Sequence, residues 1–100
     1  MIVYISIGNS DDKLTQAQWC EFVQTVEESL ESYPLHGVWF SRPDARWQNA
    51  CWCAEIPAIA PDLRRELRQI AAEFNQDSIT WAEARTEFLQ PIPTIPAVSR

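Results

Sequence analysis

Cysteine and tryptophan residues crowd one stretch of the chain, RWQNACWCAE at positions 46–55. Cys51 and Cys53 are separated by one residue, a spacing that places both thiols on the same face of a strand, and Cys20 is the third cysteine. A structural zinc site needs four ligands, whereas the sequence has a single histidine, His36, and no second closely spaced cysteine pair. We therefore interpret the thiols as small side chains of the core, not as metal ligands.

Carboxylates offer a second chemistry. Asp11 and Asp12, together with Asp44 or Asp77, could hold Mg²⁺, which accepts one or two carboxylates plus waters and phosphate. His36 is the residue best suited to general acid–base catalysis, but the fold predicted below places it at the opposite end from the polar loops. The sequence thus identifies no catalytic residue, and we favour a protein that is not an enzyme and uses no cofactor.

Arginine, amide and aromatic side chains favour binding over catalysis. Arg42 and Arg46 could each form paired hydrogen bonds to a phosphate or carboxylate, and Trp47 could stack on a ring. Asn9 and Asn49 could form hydrogen bonds with the polar groups of the same molecule. These residue types indicate a small anionic or nucleotide-like ligand.

The first part of the chain predicts a strand followed by a helix. Residues 1–7, MIVYISI, form a β-branched and aromatic run, typical of a central strand. The sequence TQAQ has the pattern of a capping box and predicts a helix that begins near Gln16. Apolar residues then recur at spacings of three and four until Pro34 ends the helix.

The rest of the chain predicts a hairpin, a helix and one segment of mixed character. LHGVWFS at 35–41 and WQNACWCAEI at 47–56 read as two strands joined by a proline-containing turn. Residues 61–74 predict a second amphipathic helix, with proline at its start. In ITWAEARTEFL at 79–89, the first residues favour a strand and AEAR favours a helix, and we predict a strand.

The resulting order βαββαβ predicts an α+β protein with the ferredoxin-like fold, a two-layer sandwich of an antiparallel sheet with two helices on one face. The first and third strands should be central, since both are apolar on both faces. In this topology the three most polar connections, GNSDDK, SRPDARWQN and NQDS, meet at one edge of the sheet, here called the rim.

The rim is therefore the predicted binding site, because it lies beside the N-terminus of the first helix and carries two arginines. The alternative is that these loops are ordinary solvated turns, since Asp and Asn are common turn formers. Ser10, Asp44, Gln48 and Gln76 are predicted neighbours at the rim. The candidate ligand-binding residues are Asn9, Asp11, Asp12, Lys13, Arg42, Arg46, Trp47, Asn49 and Asp77.

The alternation of side chains along the third strand divides its residues between two faces. If Cys51 and Cys53 face the helices, Trp52 faces the open side of the sheet. An exposed aromatic face on a chain of 100 residues favours a homo-oligomer formed through that face or its edges, unless the tail covers it. The open face would carry Trp52, Ala50 and Ala54, joined by Trp39 or Phe40.

The length of the chain predicts one domain, at residues 1–90. Residues 91–100 contain Pro91, Pro93 and Pro96 and predict an extended or disordered tail. This tail could also serve as an arm that packs on a neighbouring subunit.

The net charge of −6 and pI near 4.6 argue against binding to polynucleotides or to anionic membranes, since both need clustered Lys and Arg. No signal peptide or membrane-spanning segment is evident, since the apolar run at the start ends after Ile7. An odd number of cysteines, three, favours reduced thiols. Together these features predict a cytoplasmic protein.

The element order is shared with RNA-recognition motifs, and IVYISIGN resembles their first strand, in which an aromatic residue lies between aliphatic ones and Asn follows. RWQNACWCAE departs from their third strand, since it has one aromatic at the expected alternation and no Lys-Gly or Arg-Gly start. Together with the acidic charge, this departure argues against RNA binding.

The sequence as a whole predicts a small protein that binds, and so senses or sequesters, an anionic or nucleotide-like molecule at the rim. The alternative is a protein-interaction or inhibitor module. It would use the aromatic face of the sheet or the acidic helix face formed by Glu21, Glu28 and Glu31.

Overall fold

The computed structural model describes residues 1–9 and 11–94. A strand over the first part of the mixed segment 79–89 confirms the strand prediction there. The elements are β1 (Ile2–Gly8), α1 (Gln16–Ser29), β2 (Leu35–Phe40), β3 (Asn49–Glu55), α2 (Pro61–Glu73) and β4 (Thr80–Ala84).

The four strands form one antiparallel sheet in the order β2-β3-β1-β4. β1 and β3 are central, as their apolar sequences predicted, and β2 and β4 are the edges. The α+β architecture is therefore confirmed, and it has the strand order of a ferredoxin-like two-layer sandwich.

Side chains along β1 alternate between a buried face and an open face, as the two-residue period of a strand requires. Val3, Ile5 and Ile7 are buried with the helix residues in a single core. Tyr4 and Ser6 point the other way and remain at least partly exposed. We call these the covered face and the open face of the sheet.

The predicted orientation of β3 is wrong, and the two faces are interchanged. Trp52 is fully buried, and its indole N–H donates to Oε1 of Glu27 in α1 at 3.3 Å, so it lies under the helices. Cys53 and Cys51 lie opposite Tyr4 and Ser6 on the open face. The physical reason is size: the covered face can bury the large indole and also supplies a partner for its N–H, whereas thiols need neither. Ala50 and Ala54, paired with Ile7 and Val3, belong to the covered face with Trp52.

Local signals set the ends of both helices. Thr15 and Gln18 form the predicted capping box: the Gln18 backbone N–H donates to Thr15 Oγ1 at 3.2 Å, and the Thr15 N–H donates to Gln18 Oε1 at 2.8 Å. α2 ends where Asn75 adopts the left-handed conformation, φ 53°, which lets the Gln76 N–H bond to the Ala71 carbonyl at 2.8 Å. The loop that leads to β4 starts at this point.

Residues 85–94 form neither helix nor strand and are exposed. The last six residues of the predicted tail, 95–100, lie outside the described residues. Within the described ranges, no helix is long and apolar enough to cross a membrane.

Candidate functional site: the rim and two adjoining grooves

Asn9 supports the rim from inside. It is 4 % exposed, its side-chain amide donates to the Leu14 carbonyl at 3.1 Å, and its Oδ1 accepts from the Leu14 N–H at 3.1 Å. This pair of bonds holds the β1–α1 loop closed, as a backbone pair in a sheet would. The side chain that the sequence predicted to bind a ligand is therefore already paired with the backbone.

Lys13 joins the β1–α1 loop to the α2–β4 loop. Its ammonium lies 3.3 Å from Oδ2 of Asp11 and 3.5 Å from Oδ1 of Asp77, and it donates to the Asn75 carbonyl at 3.4 Å. Two of the three predicted loops thus meet through three of the predicted side chains.

These ion pairs shift the ionisation of both partners. Partial desolvation raises the pKa of Asp11, but hydrogen bonds from the Lys13 backbone N–H and ammonium outweigh it and leave the pKa below its ordinary value. The hydrogen bond to Asp11 and the charge of Asp77 raise the pKa of Lys13. Two carboxylates against one ammonium leave this part of the rim with a formal charge of −1.

Gln48 brings the third loop to the rim. The Asn9 backbone N–H donates to the Gln48 carbonyl at 2.9 Å, and the Gln48 side-chain amide donates to Oε1 of Gln16 at 2.8 Å. The β2–β3 loop is therefore tied to both the end of β1 and the start of α1. All three polar connections meet at one edge of the sheet.

A polar concavity of about 280 Å³, the rim groove, opens between these loops and the top of the open face. Gly8 lies on its surface, opposite Asn49 in the sheet, and a Cβ at Gly8 would come within 2.8 Å of Asn49 Oδ1. The absence of a side chain at position 8 therefore leaves room for the Asn49 amide. The rim groove is lined by Ser6, Ile7, Gly8, Asp11, Asn49, Gln76, Asp77, Ser78 and Thr80.

A second concavity of about 350 Å³, the aromatic groove, adjoins the first on the open face. Trp39 forms its wall, is 52 % exposed, and stacks on Tyr4 with ring centroids 6.2 Å apart. Phe40 and Cys51 also line it. The two grooves share Ser6, Ile7 and Asn49, so a polar surface and an aromatic surface are continuous around those residues.

The arginines predicted to hold an anion line neither groove. Arg42 pairs with Asp44 in the exposed turn, Nε to Oδ1 at 3.2 Å. The Arg46 guanidinium lies 4.9 Å from the Trp47 ring centroid. Both arginines and Trp47 thus have local partners within the β2–β3 loop, away from the Asp11, Lys13 and Asp77 cluster.

Asp12 also has a local role. It adopts the left-handed conformation, φ 54°, and its N–H donates to the Asn9 carbonyl at 3.1 Å. This conformation is one that Asp tolerates better than most residues, so Asp12 serves the turn. Of the nine predicted residues, those that line the rim groove are Asp11, Asn49 and Asp77.

Several lining residues were not among the predicted site residues. Ser6 lies between two buried isoleucines of β1, and its open-face position could have been read from that alternation. Trp39 was predicted only as a member of the open face. Ser78 and Thr80 lie where α2 leads into β4, a boundary that the sequence left uncertain.

The open-face thiols lie beside the grooves. The neighbouring Cys53 side chain raises the pKa of Tyr4, first through a hydrogen bond and then through the negative charge that it carries when ionised. In the part of the chain that the structure describes, no three His, Cys, Asp or Glu side chains are grouped closely enough to hold a metal ion. The Asp11 and Asp77 carboxylates meet at Lys13, which occupies the position that a cation would take between them.

The sequence matches no protein-family model and no curated protein sequence. Evidence for function therefore comes from the site itself.

Proposed function

We propose that the protein binds a small nucleoside-like molecule across the rim groove and the aromatic groove. The observation that carries this proposal is the continuity of the two grooves at Ser6 and Asn49, with a polar concavity on one side and Trp39 on the other. A molecule with a planar ring and a polar, hydroxyl-bearing part matches both surfaces.

The ring would stack on Trp39. Its indole is half exposed and already oriented by the stack with Tyr4, so little side-chain freedom is lost on binding. Base stacking on an aromatic side chain contributes roughly 1–3 kcal/mol, judged by alanine substitution. A tenfold change in affinity corresponds to about 1.4 kcal/mol, which lies within this range.

The polar part of the ligand would occupy the rim groove. Asn49, Ser78 and Thr80 offer donors and acceptors without charge, and Asp77 can accept from a hydroxyl. The rim cluster of Asp11, Lys13 and Asp77 bears a net negative charge, and Lys13 is already paired with both carboxylates. We therefore propose a nucleoside-like ligand, and we expect a phosphate group to weaken binding.

The test is titration calorimetry with the four common ribonucleosides and their 5′-monophosphates. We expect at least one nucleoside to bind more tightly than its monophosphate. Trp39→Ala should lower that affinity about tenfold or more. Gly8→Ala should also lower it, because the added methyl group would displace the Asn49 side chain from the groove.

Matched controls lie in the neighbouring loop. Trp47→Ala removes an exposed indole that lines neither groove, and Arg42→Ala removes an exposed guanidinium that pairs with Asp44 of its own turn. Both variants should bind as the original chain does. Absence of binding across the panel would contradict the proposal. If Arg42→Ala or Arg46→Ala lowered the affinity for the ligand and Trp39→Ala did not, the result would favour an anion site on the β2–β3 loop instead.

A further inference from the structure

The segment after β4, residues 85–94, carries unusually exposed apolar side chains, and we call it the arm. Phe88 and Leu89 are each 83 % exposed and Ile92 is 91 % exposed. The radius of gyration is 18.5 Å, against about 13 Å for a compact domain of this length. The arm thus projects from the body and leaves three large apolar side chains in water, a feature that marks a contact surface.

A third concavity lies on the other side of the α2–β4 loop from the rim groove. This α2–β4 groove has a volume of about 420 Å³. Leu67, Ala71, Ile79 and Trp81 give it an apolar surface, and Arg64 and Arg68 line it from α2. It is open along the edge of the sheet, because β4 is an edge strand.

Two arginines and one carboxylate, Asp77, line this groove. The Arg64 guanidinium lies 4.5 Å from the Trp81 ring centroid and bonds to Oε1 of Glu83 at 2.9 Å, so it is held in place. Arg68 forms no salt bridge with any residue in the described ranges. An acidic side chain that enters the groove would find Arg68 available.

The arm supplies a carboxylate that can pair with Arg68. Glu87 directly precedes Phe88 and Leu89, so one short segment presents a carboxylate and two large apolar side chains. Pro91 and Pro93 restrict the backbone that follows, which lowers the entropy lost when the segment is ordered.

Chain geometry decides whose arm enters the groove. β4 forms one wall of the groove through Trp81 and ends at Ala84, so the arm of the same chain would have to reverse direction immediately to reach Arg68. Residues 85–90, RTEFLQ, contain none of the Gly, Pro, Asn, Asp or Ser that favour tight turns. The arm of another molecule needs no such reversal.

We propose that the arm of one molecule docks in the α2–β4 groove of a second copy, reciprocally, to form a symmetric dimer. Phe88 and Leu89 would contact the apolar surface, and Glu87 would pair with Arg68. Each Phe88 ring would bury roughly 150–250 Å², and Leu89 would add to that area in each of the two equivalent sites. Counting both arms and both groove surfaces, a stable symmetric interface buries roughly 1,200–2,000 Å².

The experiment measures the molar mass of the full chain by light scattering and sedimentation over a range of concentrations. We expect a dimer, and we expect Phe88→Asp to raise its dissociation constant at least about tenfold. Ile59→Asp is the matched control, because Ile59 is also 83 % exposed but lies outside both arm and groove. That variant should remain a dimer, and circular dichroism should show the same fold for both.

A charge exchange tests the pairing itself. Glu87→Arg and Arg68→Glu should each weaken the dimer, and the double variant should restore it. A chain that is monomeric at every concentration would overturn the proposal, and so would a dimer that survives Phe88→Asp. A dimer lost in Phe88→Asp but indifferent to Arg68→Glu would show that the arm docks elsewhere, which also overturns the assignment to this groove.

Discussion

The same strands supply the two faces of the sheet, but the faces differ in what their side chains contribute. On the covered face, Val3, Ile5 and Trp52 are completely buried against the helices. On the open face, Tyr4 and Trp39 stack on each other and remain in contact with water. Because burial of apolar surface is the main source of stability, the covered face carries most of the folding free energy. The open face is therefore free to carry a binding site whose residues can be replaced without unfolding the protein.

Two tryptophans give the largest expected contrast between the faces. Trp52→Ala should lower the free energy of unfolding by about 3–5 kcal/mol, because it leaves a cavity beneath α1 and removes the partner of Glu27. Trp39→Ala removes the same side chain from the open face and should cost about 1 kcal/mol or less. Urea denaturation of both variants measures the contrast. If both variants lost a similar amount of unfolding free energy, the open face would contribute as much to stability as the covered face does.

Substitutions of Asn9 test whether its buried hydrogen bonds to the Leu14 backbone stabilise the fold. Asn9→Ala leaves the buried N–H and carbonyl of Leu14 without their partners and should cost about 2–3 kcal/mol. Asn9→Asp keeps the acceptor for the Leu14 N–H but loses the donor, so we expect an intermediate loss. The same denaturation experiment ranks the two variants, and a fully stable Asn9→Ala chain would exclude a supporting role.

Substitutions in α1 test the contribution of its N-terminal cap to the stability of the protein. Thr15→Ala removes one half of the capping box and should lower stability by about 1 kcal/mol. Thr25→Ala is the control in the same helix, since its hydroxyl donates back to the Glu21 carbonyl of that helix. We expect little change there, because such a bond adds little to a helix. Thermal unfolding should separate the two threonines, and equal effects would contradict the capping assignment.

The smallest expected effect concerns the rim. Because Lys13 holds the pKa of Asp11 below its ordinary value, the pair stabilises the fold above the ordinary pKa of about 3.9. That contribution is lost as the pH falls through the lower pKa of the folded state. Asp11→Asn should therefore be less stable than the original chain at pH 7, and the difference should shrink below about pH 4.

Unfolding temperatures at several pH values measure this difference. Added salt should reduce it at neutral pH, since both groups are exposed and screened. A difference that is constant from pH 7 to pH 3 would assign the effect of Asp11→Asn to something other than charge.

The order of the elements was predictable because each has a strong local signal. Thr15 and Gln18 mark the start of α1, and Pro34 marks the end of the segment that contains it. The order and the polar loops then led to the convergence at the rim, where Lys13 meets Asp77 across 64 positions of sequence. These are consequences of hydrophobic periodicity, capping chemistry and a small set of allowed topologies.

The orientation of β3 was not predictable from its own residues. ACWCA at 50–54 alternates, but neither phase of the alternation carries a charge, so the period does not decide which phase is buried. The register with β1 decides it, because Ile5 lies opposite Trp52 and shares its face. The prediction also placed Arg42 and Arg46 at the site, whereas Asp44 and Trp47, their neighbours in the sequence, hold both side chains in the β2–β3 loop.

The sequence by itself determined the six elements, their order and the edge of the sheet where polar loops meet, since these depend on residues close in the chain. Only the tertiary structure decided which face of β3 is covered, which polar side chains share a groove and where the arm points. Those outcomes depend on strand register and on packing between distant elements, where the size of Trp52 and the pairing of Lys13 outweigh any local preference.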